Sequence, residues 1–166
     1  MKKLNLGCGN DIKKDYINLD KFKVGGADIV HDIEKFPWPF KDNEFDEILC
    51  KNVLEHVNDP IKVMEEIWRI SKSNSIVKVQ VPYWASKGAV SHLEHKHYFD
   101  EGSFNYFQVG NLSDARITKA RFSPVLIYPH CNPLSKFKKY LPFKKFFSKF
   151  LINIFDIIYY ELKVLK

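Results

Sequence analysis

The sequence lacks the features of a membrane-spanning or disulfide-stabilised protein. Its 166 residues contain no apolar run of about 18 residues, and two lysines directly precede the first apolar segment, so neither a transmembrane helix nor a signal peptide is predicted. The three cysteines are widely spaced and form no CxxC pair, which favours reduced thiols over disulfides or a zinc site. We therefore expect a single cytoplasmic domain with one core.

An excess of positive charge is also missing from most of the chain. The net charge is +6, and residues 134–166 hold eight lysines against two acidic residues. Residues 1–133 are therefore electrically neutral. Because a nucleic-acid groove needs a basic surface, this distribution argues against nucleic acid as a partner of the main site.

Short strands and helical segments alternate along the chain, which predicts an α/β fold with a Rossmann-like, mostly parallel sheet flanked by helices. A helix is expected to begin at Asp59-Pro60, an N-cap followed by proline, with Glu66 on its polar face. The link after the first strand is short, so its helix is expected to be reduced to about one turn at 12–15. Strands are predicted at 3–8, 16–20, 27–31, 45–50, 76–81 and within 116–128, a turn at 71–75, an irregular loop at 83–98, and a helix at 100–107.

The first strand runs into a glycine turn, Gly7-Cys8-Gly9, and the second ends at Asp20. Glycines let a backbone approach a ligand closely, and an acid at a strand tip can accept hydrogen bonds from ribose hydroxyls. A dinucleotide-binding fingerprint would need a third glycine where Ile12 stands, and an acid roughly 20 residues further on. Asp20 comes only 11 residues after Gly9, so the spacing favours an adenosine ligand other than a dinucleotide.

These residues resemble the class I S-adenosylmethionine-dependent methyltransferases, in particular the compact methyltransferase type 11-like group. The resemblance covers residues 3–130 well and implies S-adenosylmethionine as cofactor. It departs from the family at Asn5, where an acid is usual, and no DPPY or NPPY segment follows the fourth strand, which argues against methylation of nucleobase amino groups. The cofactor-binding residues that it implies are Leu6, Gly7, Cys8, Gly9, Asp20, Asp32, Ile33, Asn52 and Leu54.

Six histidines are present, and three of them are candidates for a general base or a substrate contact: His56, His95 and His97. Each has a structural alternative, since a single histidine is more often hydrogen-bonded within the fold. Glu55 is expected to be buried or to anchor a turn. The His92–His97 segment matches no HExxH pattern, so no metal site is predicted.

The basic segment 134–160 interleaves lysines with aromatic residues and is predicted to form a basic amphipathic helical insertion, with Ile157 and Ile158 on its apolar face. Residues 1–133 would then be the core and 161–166 the last strand. The insertion could pack on the core or contact an anionic membrane. The predicted function is methyl transfer to a small-molecule, glycan or lipid-linked acceptor; the alternative is a non-catalytic protein that uses the same pocket for interaction or regulation.

Overall fold

The computed structural model describes residues 1–23, 25–109, 118–131, 140, 142–148 and 151–166. Seven strands form one sheet in the order β3-β2-β1-β4-β5-β7-β6, in which β1 to β5 are parallel and β7 runs antiparallel to both of its neighbours. The predicted Rossmann-like fold is thereby confirmed. The strands are β1 (Lys3–Leu6), β2 (Ile17–Asp20), β3 (Ile29–Val30), β4 (Phe45–Lys51), β5 (Ser71–Pro82), β6 (Arg121–His130) and β7 (Ile157–Leu165).

The strand order reverses between β1 and β4. From β1 the chain builds outward through β2 and β3, then returns to the other side of β1 as β4. In open parallel sheets a ligand crevice forms at such a reversal, beyond the carboxyl ends of the strands. One face of the central strands supplies the core, with Leu4, Leu6, Ile48, Cys50, Val77 and Val79 inaccessible to solvent.

Helix α1 (Pro60–Ile70) begins where the sequence predicts. The Asp59 side chain accepts a hydrogen bond from the Lys62 backbone N–H at 3.0 Å, and Pro60 occupies the first turn, where its missing N–H is not needed. The prediction that Glu66 lies on the polar face is wrong. Glu66 is buried, and its carboxylate is paired there: it accepts hydrogen bonds from the Trp38 backbone N–H and from Arg69, both at 2.6 Å.

Several local predictions are wrong because tertiary pairing overrides them. The segment 71–75 belongs to β5 and pairs irregularly with β4. The loop 83–98 contains a short helix, α2 (Lys87–Ser91), capped by Ser86, and the helix expected at 100–107 is a single 3-10 turn, Asn105–Phe107. The single turn expected at 12–15 is present, with a hydrogen bond from the Tyr16 N–H to the Lys13 carbonyl at 3.2 Å, and no helix follows it before β2.

The end of the chain differs from the prediction in one respect. Strand β7 begins at Ile157, so Ile157 and Ile158 belong to the sheet rather than to a helical face. A short helix, α3 (Lys144–Phe147), lies in the basic segment. Residues 132–139, 141 and 149–150 fall outside the described residues, so the predicted insertion is described only in part. Where the chain is described, no helix has the length and apolarity needed to cross a membrane.

Candidate active site

A cleft of about 600 Å³ opens at the carboxyl ends of β1, β2 and β4, at the point where the strand order reverses. Residues from five separate segments of the chain line it. Seven of the predicted site residues are among them: Gly7, Gly9, Asp20, Asp32, Ile33, Asn52 and His56. The topology therefore brings most of the predicted residues to one cavity.

The two glycines of the first turn have different roles. Both have positive φ, +65° at Gly7 and +48° at Gly9. A Cβ at Gly7 would lie 2.4 Å from Cγ2 of Val53, so this glycine allows the turn after β1 to pack against the segment after β4. A Cβ at Gly9 would meet no heavy atom of the described residues within 4 Å, because Gly9 borders the open cleft.

Asp20 is held in place by backbone groups. Its Oδ2 accepts a hydrogen bond from the Gly9 N–H at 2.8 Å, and its Oδ1 accepts one from the Phe22 N–H at 3.0 Å. Each carboxylate oxygen retains a lone pair. The carboxylate lines the cleft and is therefore oriented before any ligand arrives.

The departure at Asn5 is compensated by an amide network beneath the glycine turn. Asn5 is buried, and its Nδ2 donates to the Asp11 carbonyl at 2.8 Å and to Asn18 Oδ1 at 3.0 Å. Asn18 Oδ1 also accepts from the Lys13 N–H at 2.9 Å, and its own backbone N–H donates to Asp28 at 2.7 Å. These hydrogen bonds fasten the short loop that replaces the first helix.

Asp32 both caps a turn and lines the cleft. Its Oδ1 accepts the Glu34 N–H at 3.1 Å, and its Oδ2 lies 3.2 Å from Lys21 Nζ. The backbone hydrogen bond from Glu34 is the main cause of its lowered pKa, and Lys21 contributes to the same effect. Asp32 therefore presents a stable negative charge to the cleft.

His56 reaches the cleft from the segment after β4, and the loop 92–97 closes against it. Its ring lies 4.8 Å from that of His95, centroid to centroid. Burial lowers the pKa of His56, and the nearby His95 lowers it further. The loop is held by hydrogen bonds from Lys96 N–H to the Glu55 carbonyl, 2.7 Å, and from His97 Nε2 to the Val57 carbonyl, 3.0 Å.

Glu55 is buried, as expected, with only 1% of its surface exposed. Burial raises the pKa of its carboxyl group to about 7. No group of the described residues donates a hydrogen bond to either carboxylate oxygen. A buried acid without a donor is costly to a fold, so its position calls for an explanation.

Five predicted residues lie away from the cleft surface. The side chains of Leu6, Cys8 and Leu54 are buried in the core, where they support the glycine turn and the segment after β4. His95 and His97 lie behind the lining, against His56 and Val57. Seven further residues line the cleft, most of which adjoin the predicted site residues: Lys21, Phe22, Glu34, Val53, Val57, Glu94 and Lys96.

Comparison with known proteins agrees with this geometry. Residues 4–79, which contain the glycine turn, Asp20, Asp32 and the segment after β4, match the family described as methyltransferase domain. Residues 4–79 are thus similar to a methyltransferase domain, and the chain has the class I methyltransferase fold. The predicted resemblance is thereby confirmed, and the family and fold together imply S-adenosylmethionine as cofactor.

The similar proteins span more sequence than this chain or differ strongly in sequence. An uncharacterised protein of Methanocaldococcus jannaschii is 41% identical over 91 residues, which cover 47% of this chain and 39% of that protein. An S-adenosylmethionine-dependent methyltransferase from Archaeoglobus fulgidus has a TM-score of 0.66 at 16% identity, covering 98% of this chain and 85% of the other. A [4+2]-cyclase, SpnF, also has a TM-score of 0.66, at 13% identity over 99% of this chain and 74% of its own. At these identities the structural likeness shows the fold alone.

The residues present fit this cofactor. The Asp20 carboxylate has acceptor capacity left for ribose hydroxyls, and the cleft beside Gly9 lies open where a side chain would fill it. The cleft is bordered by the negative charges of Asp20 and Asp32 on the side expected to receive the nucleoside. The orientation of Asp20 and the open space beside Gly9 both depend on the backbone of the glycine turn.

Proposed function

We propose that this chain binds S-adenosylmethionine in the cleft and transfers its methyl group to a small-molecule, glycan or lipid-linked acceptor. When bound, the cofactor supplies a methyl group on a positively charged sulfur. The residues at Gly7 and Gly9 would contact the methionine portion, Asp20 the ribose, and Asp32 with Ile33 the adenine. Asn52 and the backbone at Leu54 would lie beneath the methyl donor.

One observation supports the proposal most strongly: the carboxylate of Asp20 is fixed by the Gly9 N–H at the reversal of strand order. This contact ties the strand-tip acid to the glycine turn, so both groups face one ligand. Positioning supplies much of the rate of an in-line transfer, since the nucleophile must only be held close to the methyl carbon and aligned with it. A rigid cofactor cleft is therefore the principal requirement for this chemistry.

His56 is the histidine best placed to accept a proton from an acceptor hydroxyl or amine. It lines the cleft, and its lowered pKa keeps it neutral near pH 7, the form that a general base requires. His97 is a weaker candidate, because its Nε2 already donates to the Val57 carbonyl. His95 lies behind His56 and would act through it as a positioning residue.

An apolar cavity supports an acceptor with an apolar part. It has a volume of about 530 Å³ and lies between the loop after β5 and the segment before β7. Its lining includes Trp84, Val90, Tyr98 and Ile152, all exposed in spite of their apolar side chains. A lipid-linked or aromatic acceptor would cover such a surface. Nucleic acid is not expected as a partner.

The basic segment 134–160 suggests where such an acceptor would be met. In its described part, Lys144 and Lys145 neighbour the exposed aromatic side chains of Phe143 and Phe146. Lysines beside exposed aromatic rings are typical of segments that lie on anionic membranes. We therefore propose a cytoplasmic protein that contacts a membrane surface peripherally.

Calorimetry with S-adenosylhomocysteine tests the cofactor site. We expect one binding event that is weakened on the order of 100-fold in Asp20→Ala, since hydrogen bonds to a charged group contribute about 1.5–3 kcal/mol each. Asp15→Ala, which changes an exposed acid outside the cleft lining, is the matched control. Absence of binding by the unchanged chain would refute the proposal.

Catalysis needs a second measurement. The chain is incubated with labelled S-adenosylmethionine and extracts of small metabolites, glycans and lipids, and label transferred to any acceptor is quantified. We expect transfer that is lost in Asp20→Ala. Cofactor binding with no transfer in any fraction would instead support the alternative, a non-catalytic protein that uses this pocket for interaction or regulation.

A further inference from the structure

Three side chains with metal-binding chemistry meet behind the cleft, although 39 residues of sequence separate the third from the second. They are Glu55 and His56, after β4, and His95, in the loop after α2. One potential ligand atom from each lies within 4.8 Å of those of the other two. This is the one group of at least three such residues in the described parts of the chain.

The buried carboxylate of Glu55 has no other role in the described structure. Both of its oxygens are inaccessible to solvent, and neither accepts a hydrogen bond from any described residue. Buried polar groups in folded proteins are nearly always paired, and the usual partners of a buried carboxylate are a cation or a metal ion. The two imidazoles beside Glu55 are the ligands that would complete a metal site.

His95 is oriented as metal-bound histidines commonly are. Its Nδ1 donates to the Ala89 carbonyl at 2.9 Å, which leaves Nε2 unprotonated in the neutral ring. Metal-bound histidines usually donate their other N–H to a carbonyl or carboxylate, because this fixes the ring and the tautomer.

We propose that Glu55, His56 and His95 form a binding site for a divalent transition-metal ion, with zinc as the best match to the ligand set. Two imidazoles and one carboxylate leave one position of a tetrahedral ion open. Ligand atoms around zinc lie roughly 3.4 Å apart, given bond lengths near 2.1 Å. Displacements of the ligand atoms by about 1 Å, through side-chain rotation, would therefore close the site.

The open position would lie on the cleft side, because His56 lines the cleft and Glu55 is buried behind it. An ion there would offer a coordination position to an oxygen donor in the cleft. The proposal concerns metal binding alone and does not depend on the cofactor. With an ion bound, His56 would be a ligand and would not act as a general base. Failure of cofactor binding and failure of metal binding are therefore separate results.

The test uses the full chain after removal of metal with a chelator. Zinc is titrated in competition with a chromophoric chelator, and cobalt(II) is titrated separately while its visible absorption bands are recorded. We expect about one ion per chain, and an affinity reduced on the order of 100-fold in His95→Ala, because a lost ligand weakens a site at least as much as a lost neighbour of a ligand does. His130→Ala, an exposed histidine on β6, is the control and should bind as the unchanged chain does.

Glu55→Gln is a second variant, examined by circular dichroism first, since it changes a buried group. His95 is only partly buried and lies in a loop, so its variant keeps the test valid if Glu55→Gln does not fold. Substoichiometric binding by the unchanged chain would overturn the proposal. Equal affinity in His95→Ala, or equal losses in His95→Ala and His130→Ala, would overturn it as well.

Discussion

Replacing Gly7 by alanine should destabilise the protein more than replacing Gly9, although both residues have a left-handed backbone. In that region a Cβ costs about 1–2 kcal/mol at either position. Only at Gly7 would the Cβ also collide with another group, Cγ2 of Val53 at 2.4 Å. Overpacking of a filled core costs about 1–3 kcal/mol. We therefore expect a loss of about 2–5 kcal/mol for Gly7→Ala and about 1–2 kcal/mol for Gly9→Ala.

Urea unfolding followed by tryptophan fluorescence measures both losses, because linear extrapolation gives the free energy of unfolding in water. A double-mutant cycle isolates the energy of the collision. Adding Val53→Ala to Gly7→Ala should restore most of the free energy of unfolding that the collision costs, and adding it to Gly9→Ala should restore none. Gly9→Ala has its own signature, since its Cβ would enter the cleft and weaken binding of S-adenosylhomocysteine. Equal losses for the two alanine variants, or no coupling between Gly7 and Val53, would refute the reasoning.

Two further predictions concern buried acids. Glu66→Ala should lower the free energy of unfolding by about 2–4 kcal/mol, because it leaves the Trp38 backbone N–H without its acceptor. Glu65→Ala, on the same helix, is the control, and an equal loss there would contradict this explanation. Burial raises the pKa of Glu47, but hydrogen bonds from Tyr16 and Lys78 outweigh it, so the pKa lies below the ordinary 4.5. The stability that Glu47 contributes is thus present above pH 4.5 and lost as the pH falls through its lower folded pKa. In Glu47→Gln the free energy of unfolding, measured by urea unfolding at several pH values, should fall less steeply as the pH is lowered below 4.5. An unchanged dependence on pH would count against this explanation.

Local signals in the sequence were sufficient where neighbouring residues decide the structure. The start of α1 depends on Asp59 and Pro60, whose capping contact spans three residues, and the structure begins the helix there. The strands were equally readable, because apolar runs between turn residues identify them without knowledge of their partners. Only the bounds shifted, most clearly at the starts of β5 and β7.

Distant partners explain the errors. Glu66 was assigned to the solvent face because of its charge, but its partner is the backbone of Trp38, 28 residues away. The segment 71–75 reads as a turn, yet Ser71 pairs with Phe45 of β4 and the segment is part of β5. No pattern within either segment could reveal these contacts, since both depend on how the chain returns to the sheet.

The sequence by itself determined the glycine turn and the acid at the tip of β2, because these follow from residue types at short spacing, and its resemblance to a known family implied the cofactor. Tertiary structure alone decided that Asp20 accepts a hydrogen bond from Gly9 and that Val53 requires a glycine at position 7. It also decided that His95 meets Glu55 and His56. Spacing along the chain says little about such meetings, because loops of any length can bring residues together once a sheet fixes their ends.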